Sequence, residues 1–482
     1  MIEGIHHRSA VDLAHAIRAR EISAFEVVNA FLARVTDKGP GLNAIVTIDG
    51  ERARSRAREA DAALARGESW GPLHGVPVTI KDAFCTAGLR TTAGFAPLAD
   101  FVPEDDATVV ARLRAAGAIV LGKTNLAELA GDFQSDNSIF GRSNNPWNVG
   151  HTPGGSTGGG AAAVAAGLSP LEIGSDGAGS LRIPAAWCGV YTIKPTENRV
   201  PRTGHIPELP GMARGVRHQG CIGPIARSVH DLALVLRLIA GPDGKDWEVP
   251  PLPLPSPRGC SRKDLRIAWT EDFGRVPLHP EVSLAVRRFV VELERAGCRV
   301  EPVIPADFDL EAAWETWSLL FTLEAGASMP RDLIEAYATD PKVASDPFVR
   351  RGVERAASGS MAEFVAALTI RDTLIGSIEA LLTDWDVLVC PVTPTPAIAH
   401  CPPGTPIVAG AHELPYMMGC SGFTTPFNLT GHPVVAIPIA LSGSGLPIGV
   451  QLVGKRWGEM ELLTISGELS SLATDVGRPP GC

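Results

Sequence analysis

The spacing of apolar and polar residues along the 482-residue chain predicts alternating helices and strands. Near the start, Ser9 and Ser23 are each followed three residues later by an acidic residue, the pattern of a helix cap, and then by helical apolar spacing. A short apolar run at residues 45–48 predicts a strand, and strand-like and helix-like segments alternate over residues 73–304, with one helix predicted to begin at residue 125. This order is typical of βαβ units, so we expect a substantially parallel sheet with helices on its faces.

Two segments bear on the domain organisation. Residues 250–257 are rich in proline and predict an extended connector, which would suit a domain boundary. Beyond it, residues 265–304 repeat the same strand–helix–strand order, and residues 306–384 are predicted to be mostly helical. We interpret residues 1–482 as one α/β domain that continues a single sheet, with a separate second domain as the alternative.

The composition excludes several functional classes. The net charge of −10 and the pI of about 5.7 argue against a surface for nucleic acid or anionic membranes. No apolar run is long enough to span a bilayer, and the N-terminus has no apolar signal core. The nine cysteines are dispersed and show no C-x-x-C spacing, which suits a reducing compartment. We therefore expect a cytoplasmic protein.

The stretch at residues 150–184 contains two glycine-rich loops that each present a serine. Residues 154–159 carry Ser156, and residues 175–180 carry Ser180. Glycine loses much conformational freedom on folding, so two such loops in close succession need a reason. One reason is that backbone N–H groups approach a group that develops negative charge. The alternative is a pair of tight turns that flank a buried helix.

Two familiar motifs come close to this stretch without fitting it. Residues 154–158 match the G-x-S-x-G nucleophile elbow, but that elbow needs an apolar strand before it, and residues 144–153 are polar with prolines. A phosphate-binding P-loop would need a lysine where Ser156 stands. The twelve histidines show no metal-ligand spacing, and we interpret them as structural or surface residues.

A lysine far upstream suggests the base that a catalytic serine needs. Only eight of the 43 basic residues are lysines, and Lys81 ends an apolar strand predicted at residues 76–80. A desolvated lysine has a lowered pKa and, when neutral, accepts a proton from a serine hydroxyl. The alternative is a structural lysine that is paired with Asp82 or Asp176.

These residues closely resemble the motifs of the amidase signature family. Residues 154–189 resemble its signature, and residues 75–82 resemble its catalytic-lysine segment. Further matching segments follow in the same order, at residues 121–125, 145–147, 193–196, 426–431 and 447–454. The resemblance implies an α/β fold with a mixed central sheet of about a dozen strands, covered by helices on both faces. It places a signature core at about residues 70–230 and an elaborated helical substrate-pocket region at about residues 306–420.

By motif position, the resemblance implies a Ser–cis-Ser–Lys triad. Ser180 is the implied nucleophile and Lys81 the implied base. Ser156 is the bridging serine, preceded by a cis peptide bond. The backbone N–H groups implied to hold the oxyanion are those of Gly177, Ala178, Gly179 and Ser180. The implied supporting residues are Thr157, Asp176 and Arg182. The family needs neither a metal nor an organic cofactor.

Some positions depart from the family pattern. Thr157 and Gly160 each stand where a serine is common, and Gly177 and Ala178 stand where threonine or isoleucine followed by glycine is common. The methyl group of Ala178 is expected to reshape the mouth of the oxyanion pocket. The tyrosine-rich glutamine-site motif of the family's glutaminase subunit is not found. One predicted helix offers aromatic pocket walls or core packing through Trp314, Trp317 and Phe321.

We therefore expect an amidohydrolase that cleaves the C–N bond of a small, neutral, rather apolar amide or anilide through a seryl acyl-enzyme. Esters and carbamates are expected to react as well, as in a urethanase. The alternative is a glutaminase or amidotransferase-type subunit, or a non-catalytic partner, of a larger assembly. The expected partner is a small-molecule amide, ester or carbamate, without nucleic acid or a membrane span, and the expected state is a monomer or homodimer.

Overall fold

The fold is built around one large central sheet. The computed structural model describes residues 4–206, 215–256, 259–271, 276–305, 308–327 and 331–482. The strands of the described residues are β1 (Ile45–Ile48), β2 (Pro77–Lys81), β3 (Ile119–Thr124), β4 (Leu171–Asp176), β5 (Tyr191–Lys194), β6 (Cys221–Ala226), β7 (Arg266–Trp269), β8 (Arg299–Pro302), β9 (Val387–Pro391), β10 (Ile407–Ala409), β11 (His412–Leu414), β12 (Val434–Leu441) and β13 (Pro447–Val453).

Eleven of these strands form one mixed sheet in the order β1-β3-β2-β4-β6-β5-β12-β13-β9-β7-β8, and β10 pairs only with β11. The prediction of a mixed sheet of about a dozen strands in a single α/β domain is confirmed. β7 and β8, which follow the proline-rich connector, belong to this same sheet through β9. The connector therefore does not divide the sheet.

The expectation of a substantially parallel sheet is wrong for its middle. Parallel pairs are confined to β3–β2–β4 and to β9–β7–β8. The pairs from β4 through β6, β5, β12 and β13 to β9 are antiparallel, as is β1 with β3. One reason is the short turn at residues 442–446 between β12 and β13, since a connection of this length joins only antiparallel neighbours.

Helices surround the sheet. Those of the described residues are α1 (Ala10–Arg18), α2 (Ala24–Leu42), α3 (Gly50–Ala65), α4 (Thr108–Ala115), α5 (Gly158–Ala165), α6 (Arg182–Cys188), α7 (Val229–Ile239), α8 (Pro280–Arg295), α9 (Leu310–Ala325), α10 (Arg331–Tyr337), α11 (Pro341–Ala344), α12 (Pro347–Ser358), α13 (Met361–Asp384), α14 (Tyr416–Ser421), α15 (Thr425–Leu429) and α16 (Glu459–Ser470). Within the described part of the chain, no helix combines the length and the apolar character needed to cross a membrane.

The helix starts at the two N-terminal serine patterns are as predicted. Ser9 accepts a hydrogen bond from the backbone N–H of Asp12, and Ser23 forms a reciprocal capping box with Glu26. By contrast, the helix predicted to begin at residue 125 is only a 3-10 turn at Glu128–Ala130. The backbone of Leu129 has a φ of 49°, so the helix cannot propagate through it.

Several apolar clusters pack the helices onto the sheet, and two of them bear on the site. The larger one joins β-strand side chains to α1, α2, α4, α7, α8 and α16. The second joins α6, α9, α13 and α14, and it includes Ala178, which lies in the loop after β4. The helical region predicted after residue 306 thus packs against the loop that carries the second serine.

The packing of β6 against β5 generates a stability prediction. A Cβ atom added at Gly223 in β6 would overlap the backbone oxygen of Ile193 in β5. We expect Gly223→Ala to lower the free energy of unfolding by about 1–3 kcal/mol, measured by urea denaturation. The control is Gly376→Ala in α13, where an added Cβ meets nothing and a gain of about 0.5–1 kcal/mol is expected. Equal stability of the two variants would contradict the register of β6.

Candidate active site

The two glycine–serine loops and Lys81 meet at one edge of the sheet. Lys81 is the last residue of β2, and β4 ends at Asp176, just before the loop that carries Ser180. Because β2 and β4 are parallel neighbours, their carboxyl ends lie at the same edge. The loop that carries Ser156 leads into α5, which packs on both strands. The fold therefore brings the three predicted segments together.

Lys81 is fully buried, and its amine faces two serine hydroxyls. Its Nζ lies 2.7 Å from Ser156 Oγ and 3.1 Å from Ser175 Oγ. Burial lowers the pKa of Lys81 to about 7, although the charges of Asp176 and Glu172 act in the opposite direction. The amine is therefore neutral in a large fraction of molecules near pH 7.

The alternative of a structural lysine paired with a carboxylate does not describe Lys81. Within the described residues Lys81 forms no ion pair. Asp82 Oδ1 lies 3.5 Å from the Nζ atom of a different lysine, Lys123. Asp176 forms a buried ion pair with Arg182 at 3.0 Å. Each of the two aspartates considered as a partner of Lys81 therefore has another cationic partner.

The absence of a side chain at Gly160 makes room for Glu172. A Cβ added at Gly160 would overlap the Glu172 side chain. This carboxyl group is fully buried in β4 and accepts a hydrogen bond of 2.6 Å from Thr124 Oγ1. Burial raises the pKa of Glu172 to about 7. The departure of Gly160 from the family pattern is thus matched by a carboxyl group in the adjacent strand.

The hydroxyl group of Ser135 forms hydrogen bonds with the loop that carries Ser156. The peptide bond between Gly155 and Ser156 is cis. Ser135 Oγ donates to the backbone oxygen of Gly154 at 2.9 Å and accepts from the backbone N–H of Gly158 at 2.9 Å. The same hydroxyl thus ties both ends of the loop to one point.

Thr157 joins the two serine loops directly. Its backbone N–H donates to the backbone oxygen of Ser180 at 3.2 Å, and its Oγ1 donates to the backbone oxygen of Ser175 at 3.3 Å. Ser180 is buried, with 7% of its surface exposed. Its Oγ makes no hydrogen bond with any described residue, and the direct Ser156–Ser180 hydrogen bond of the implied relay is not formed here.

Asp176 and Arg182 brace the loop of Ser180. The Nε and Nη2 atoms of Arg182 donate to the two oxygens of Asp176, each at 3.0 Å. Asn428 adds a hydrogen bond of 2.9 Å to Asp176 Oδ1. Burial alone would raise the pKa of Asp176, but the charge and hydrogen bonds of Arg182 hold it well below its usual range. Sequence reasoning found the pair and missed Asn428, although that residue lies in one of the matching segments.

The backbone N–H groups of the loop divide into two sets. The N–H of Gly179 donates to Asp176 Oδ1 at 2.7 Å, so it is already engaged within the loop, contrary to the oxyanion role expected for it. The N–H groups of Gly177, Ala178 and Ser180 donate to no acceptor among the described residues. Three of the four expected donors are therefore available.

Ser175 and His205 are the site residues that sequence reasoning missed. Ser175 Oγ lies between Lys81 Nζ, at 3.1 Å, and His205 Nε2, at 2.9 Å. Ser175 begins the predicted second glycine-rich loop, and in the structure it lies in β4, directly before the last residue of that strand, Asp176, so its presence near the site could have been expected from its position. Nothing in the spacing around His205 sets it apart from the other histidines.

Aromatic side chains pack against the loop of Ser180. Trp317 in α9 donates through Nε1 to the backbone oxygen of Gly177 at 3.0 Å and stacks on Phe321 with ring centroids 5.5 Å apart. Ala178, Phe133 and Trp317 belong to one apolar cluster. Of the two roles considered for the aromatic helix, Trp317 therefore has that of core packing, and it also contacts the loop of Ser180.

Comparisons with known proteins agree with this arrangement. The family model described as Amidase matches residues 26–463. A glutamyl-tRNA(Gln) amidotransferase subunit from Moorella thermoacetica is 36% identical over 482 residues, which cover 95% of each chain. A solved amidase structure superimposes with a TM-score of 0.82 at 28% identity, covering 97% of this chain and 100% of that one. A bacterial aryl acylamidase superimposes with a TM-score of 0.82 at 26% identity, covering 98% and 97%.

The matched length and the shared fold define an amide-hydrolysing class of α/β enzyme. The chain belongs to the amidase signature family.

The buried pair of Asp176 and Arg182 generates a second stability prediction. Asp176→Asn keeps the side-chain shape but leaves the Arg182 cation buried without its counter-charge. We expect the free energy of unfolding to fall by about 3–5 kcal/mol in chemical denaturation. The control is Glu335→Gln, which breaks an exposed pair with Arg331 and should change stability by less than about 1 kcal/mol. A similarly small effect of both changes would show that the loop does not depend on the buried pair.

Proposed function

We propose that the chain is a serine amidase in which Ser180 is the nucleophile, Ser156 the relay and Lys81 the base. The observation that carries this proposal is the fully buried Lys81 amine at 2.7 Å from the Ser156 hydroxyl. A lysine in a desolvated site acts as a base when its neutral form is populated, and burial lowers the pKa of Lys81 to about 7. A serine–lysine pair of this kind needs no metal and no organic cofactor for acyl transfer.

The proposed proton path uses these three groups in turn. Lys81 accepts the proton of Ser156 while Ser156 accepts the proton of Ser180. Ser180 Oγ, which has no hydrogen-bond partner among the described residues, turns toward Ser156 and attacks the carbonyl carbon of the substrate. The carbon–oxygen bond forms, and the carbonyl oxygen becomes an oxyanion. The proton then returns through Ser156 to the leaving nitrogen, and the C–N bond breaks.

The acyl-enzyme is hydrolysed by the same groups. A water molecule gives its proton to Lys81 through Ser156 and attacks the acyl carbon; the proton then returns from Lys81 through Ser156 to Ser180 Oγ as the bond between the acyl carbon and Ser180 Oγ breaks, which releases the acid and restores Ser180. The N–H groups of Gly177, Ala178 and Ser180 hold the oxyanion in both steps. The removal of one such donor costs about 3 kcal/mol in transition-state stabilisation. Gly179 keeps the loop in shape through Asp176 instead.

The first candidate substrate is a small neutral, rather apolar amide or anilide, with esters and carbamates as further substrates. The specific support is the apolar cluster of Phe133, Ala178 and Trp317 beside the nucleophile's loop. An apolar acyl or aryl group gains free energy from contact with such a wall, at about 25 cal/mol per Å² removed from water. A carbamate differs from an amide by one oxygen at the carbonyl, so the same groups attack it and carbon dioxide is lost after hydrolysis.

The second candidate is a glutaminase subunit that works with a partner protein. Its specific support is similarity to amidotransferase subunits: relatives of that name from Moorella thermoacetica and Nitrosococcus oceani are 36% and 33% identical over more than nine-tenths of the chain. These relatives favour the second candidate over the first, whereas the apolar cluster favours the first. The triad and the acyl-enzyme are the same in both.

A cytoplasmic location, the oligomeric state and the division into a core and a pocket region stay predictions.

Replacement of the triad residues tests the proposed chemistry. Ser180→Ala should abolish turnover, and Lys81→Ala should lower kcat/KM by several orders of magnitude without recovery at higher pH. In the unaltered chain, kcat/KM should fall about tenfold per pH unit below about 7, because protonated Lys81 cannot accept a proton, and should level off above it. The control is Lys455→Ala at an exposed lysine, which should leave the rate unchanged. Near-normal rates of Lys81→Ala at neutral pH would refute the role of Lys81 as base.

A substrate panel separates the two candidates. The purified chain alone should hydrolyse p-nitroanilides of short fatty acids, and aryl esters and carbamates more slowly, as followed by release of the chromophore. Trp317→Ala should lower kcat/KM for the apolar substrates by about tenfold through lost contact area. If the chain instead releases ammonia from L-glutamine and leaves the anilides intact, the glutaminase candidate is correct.

A further inference from the structure

Lys81 also contacts a hydroxyl group that the proposed mechanism does not use, that of Ser175. Lys81 Nζ lies 2.7 Å from Ser156 Oγ and 3.1 Å from Ser175 Oγ. Ser175 Oγ in turn lies 2.9 Å from His205 Nε2. Hydrogen-bond contacts therefore connect Ser156 to Lys81, Lys81 to Ser175 and Ser175 to His205.

The position of His205 is fixed by the segment that directly follows Lys81. The backbone N–H of Cys85 donates to Gly204 O at 2.9 Å, and the N–H of Ile206 donates to Ala83 O at 2.7 Å. The ring of His205 packs on Phe84, with ring centroids 4.8 Å apart. The imidazole is thus held against the same stretch of backbone that carries the base, and its distance from Ser175 is set by the fold.

The direction of the hydrogen bonds decides whether Lys81 can act as a base. A neutral amine has two N–H donors and one lone pair. Ser175 has one hydroxyl proton to donate. If Ser175 donates to Lys81, the lone pair is occupied and cannot accept the proton of Ser156. If Ser175 donates to another acceptor, Lys81 donates an N–H to Ser175 and keeps its lone pair for Ser156.

We propose that His205 is a positioning residue that accepts the hydroxyl proton of Ser175 at Nε2, and so keeps the lone pair of Lys81 directed at Ser156. His205 then carries its own proton on Nδ1. This inference rests on the proposed role of Lys81 as base, and it adds a residue that acts through Ser175 without contact with the substrate.

The electrostatic surroundings of the ring agree with this role. Enclosure by the protein is the main reason that the pKa of His205 is lowered to about 3, and the positive charges of Arg202, and of Lys81 when it is protonated, lower it further. A neutral ring has one nitrogen without a proton, which is the acceptor that Ser175 needs. A protonated ring would have no acceptor to offer.

Four variants test the proposal: His205→Leu, His205→Gln, Ser175→Ala and the double variant His205→Leu/Ser175→Ala. The probe is phenylmethylsulfonyl fluoride, whose inactivation rate reports the nucleophilicity of Ser180 without knowledge of the natural substrate. His205→Leu removes the acceptor, so Ser175 donates to Lys81 and the inactivation rate should fall about tenfold, roughly the effect of one competing hydrogen bond. Binding of the probe should be unchanged. His205→Gln retains an acceptor at the Nε2 position and should stay within about threefold of the original rate.

The double variant supplies the decisive comparison. Removal of the Ser175 hydroxyl frees the lone pair of Lys81 again, so the double variant should react faster than His205→Leu alone and about as fast as Ser175→Ala. If the double variant is no faster than His205→Leu, or if His205→Gln is as slow as His205→Leu, the effect is structural and the proposal is wrong. Unchanged inactivation of His205→Leu would also overturn it.

Two controls keep the outcomes separate. Should His205→Leu fail to fold, as judged by thermal unfolding, His205→Asn takes its place, since its shorter amide does not reach Ser175. Ser180→Ala should not be labelled in any background, as checked by mass spectrometry. Labelling of another residue would refute the proposed nucleophile, whereas normal labelling of Ser180 with an unaffected His205→Leu rate would refute only the role of His205.

Discussion

A buried amine that has hydroxyl groups as its nearest partners, and no carboxylate, is the feature on which the site depends. Burial of a charged ammonium without a counter-ion is costly, so the neutral form gains weight. The contrast with Lys123 on the adjacent strand β3 makes this clear. Lys123 is equally buried, but it lies 3.5 Å from Asp82 and donates to the backbone oxygen of Phe84. The two buried lysines on neighbouring strands therefore differ in their partners. Those of Lys123 suit a structural cation, and those of Lys81 suit the proposed proton transfer.

The surrounding fold maintains this arrangement through charge balance and backbone geometry. The parallel pair β2 and β4 places the end of each strand at the same edge, where Lys81 and the loop of Ser180 meet. Asp176 is close enough to influence Lys81, yet Arg182 supplies its counter-charge. An isolated carboxylate at this point would favour the ammonium form of Lys81. The ion pair therefore shapes the loop of Ser180 and also limits the electric field that acts on Lys81.

The sequence was informative where a pattern is local. The serine caps at the N-terminus, the strand that ends at Lys81 and the glycine-rich loops with Ser156 and Ser180 could all be located from residue types and spacing. The roles of Lys81, Ser156 and Ser180 are implied by the family motifs and stay predictions. The direction of the central strands could not be predicted, because it depends on how distant segments such as β5 and β12 pair. His205 could not be found either, since it reaches Ser175 only through the return of a loop onto residues 83–85. The engagement of the Gly179 N–H with Asp176 is a matter of loop conformation that composition does not reveal.

In the proposed mechanism the same proton-transfer groups serve both candidate substrates, so the proposed chemistry depends on the protonation state of Lys81 and not on the identity of the amide. The most direct measurement is an NMR titration of the lysine Cε and Nζ resonances, assigned by comparison with a Lys81→Met variant. We predict a midpoint for Lys81 at a pH of about 7. A midpoint near the ordinary lysine value of 10.5 would contradict this, because the amine would then be a cation under all conditions in which the enzyme works.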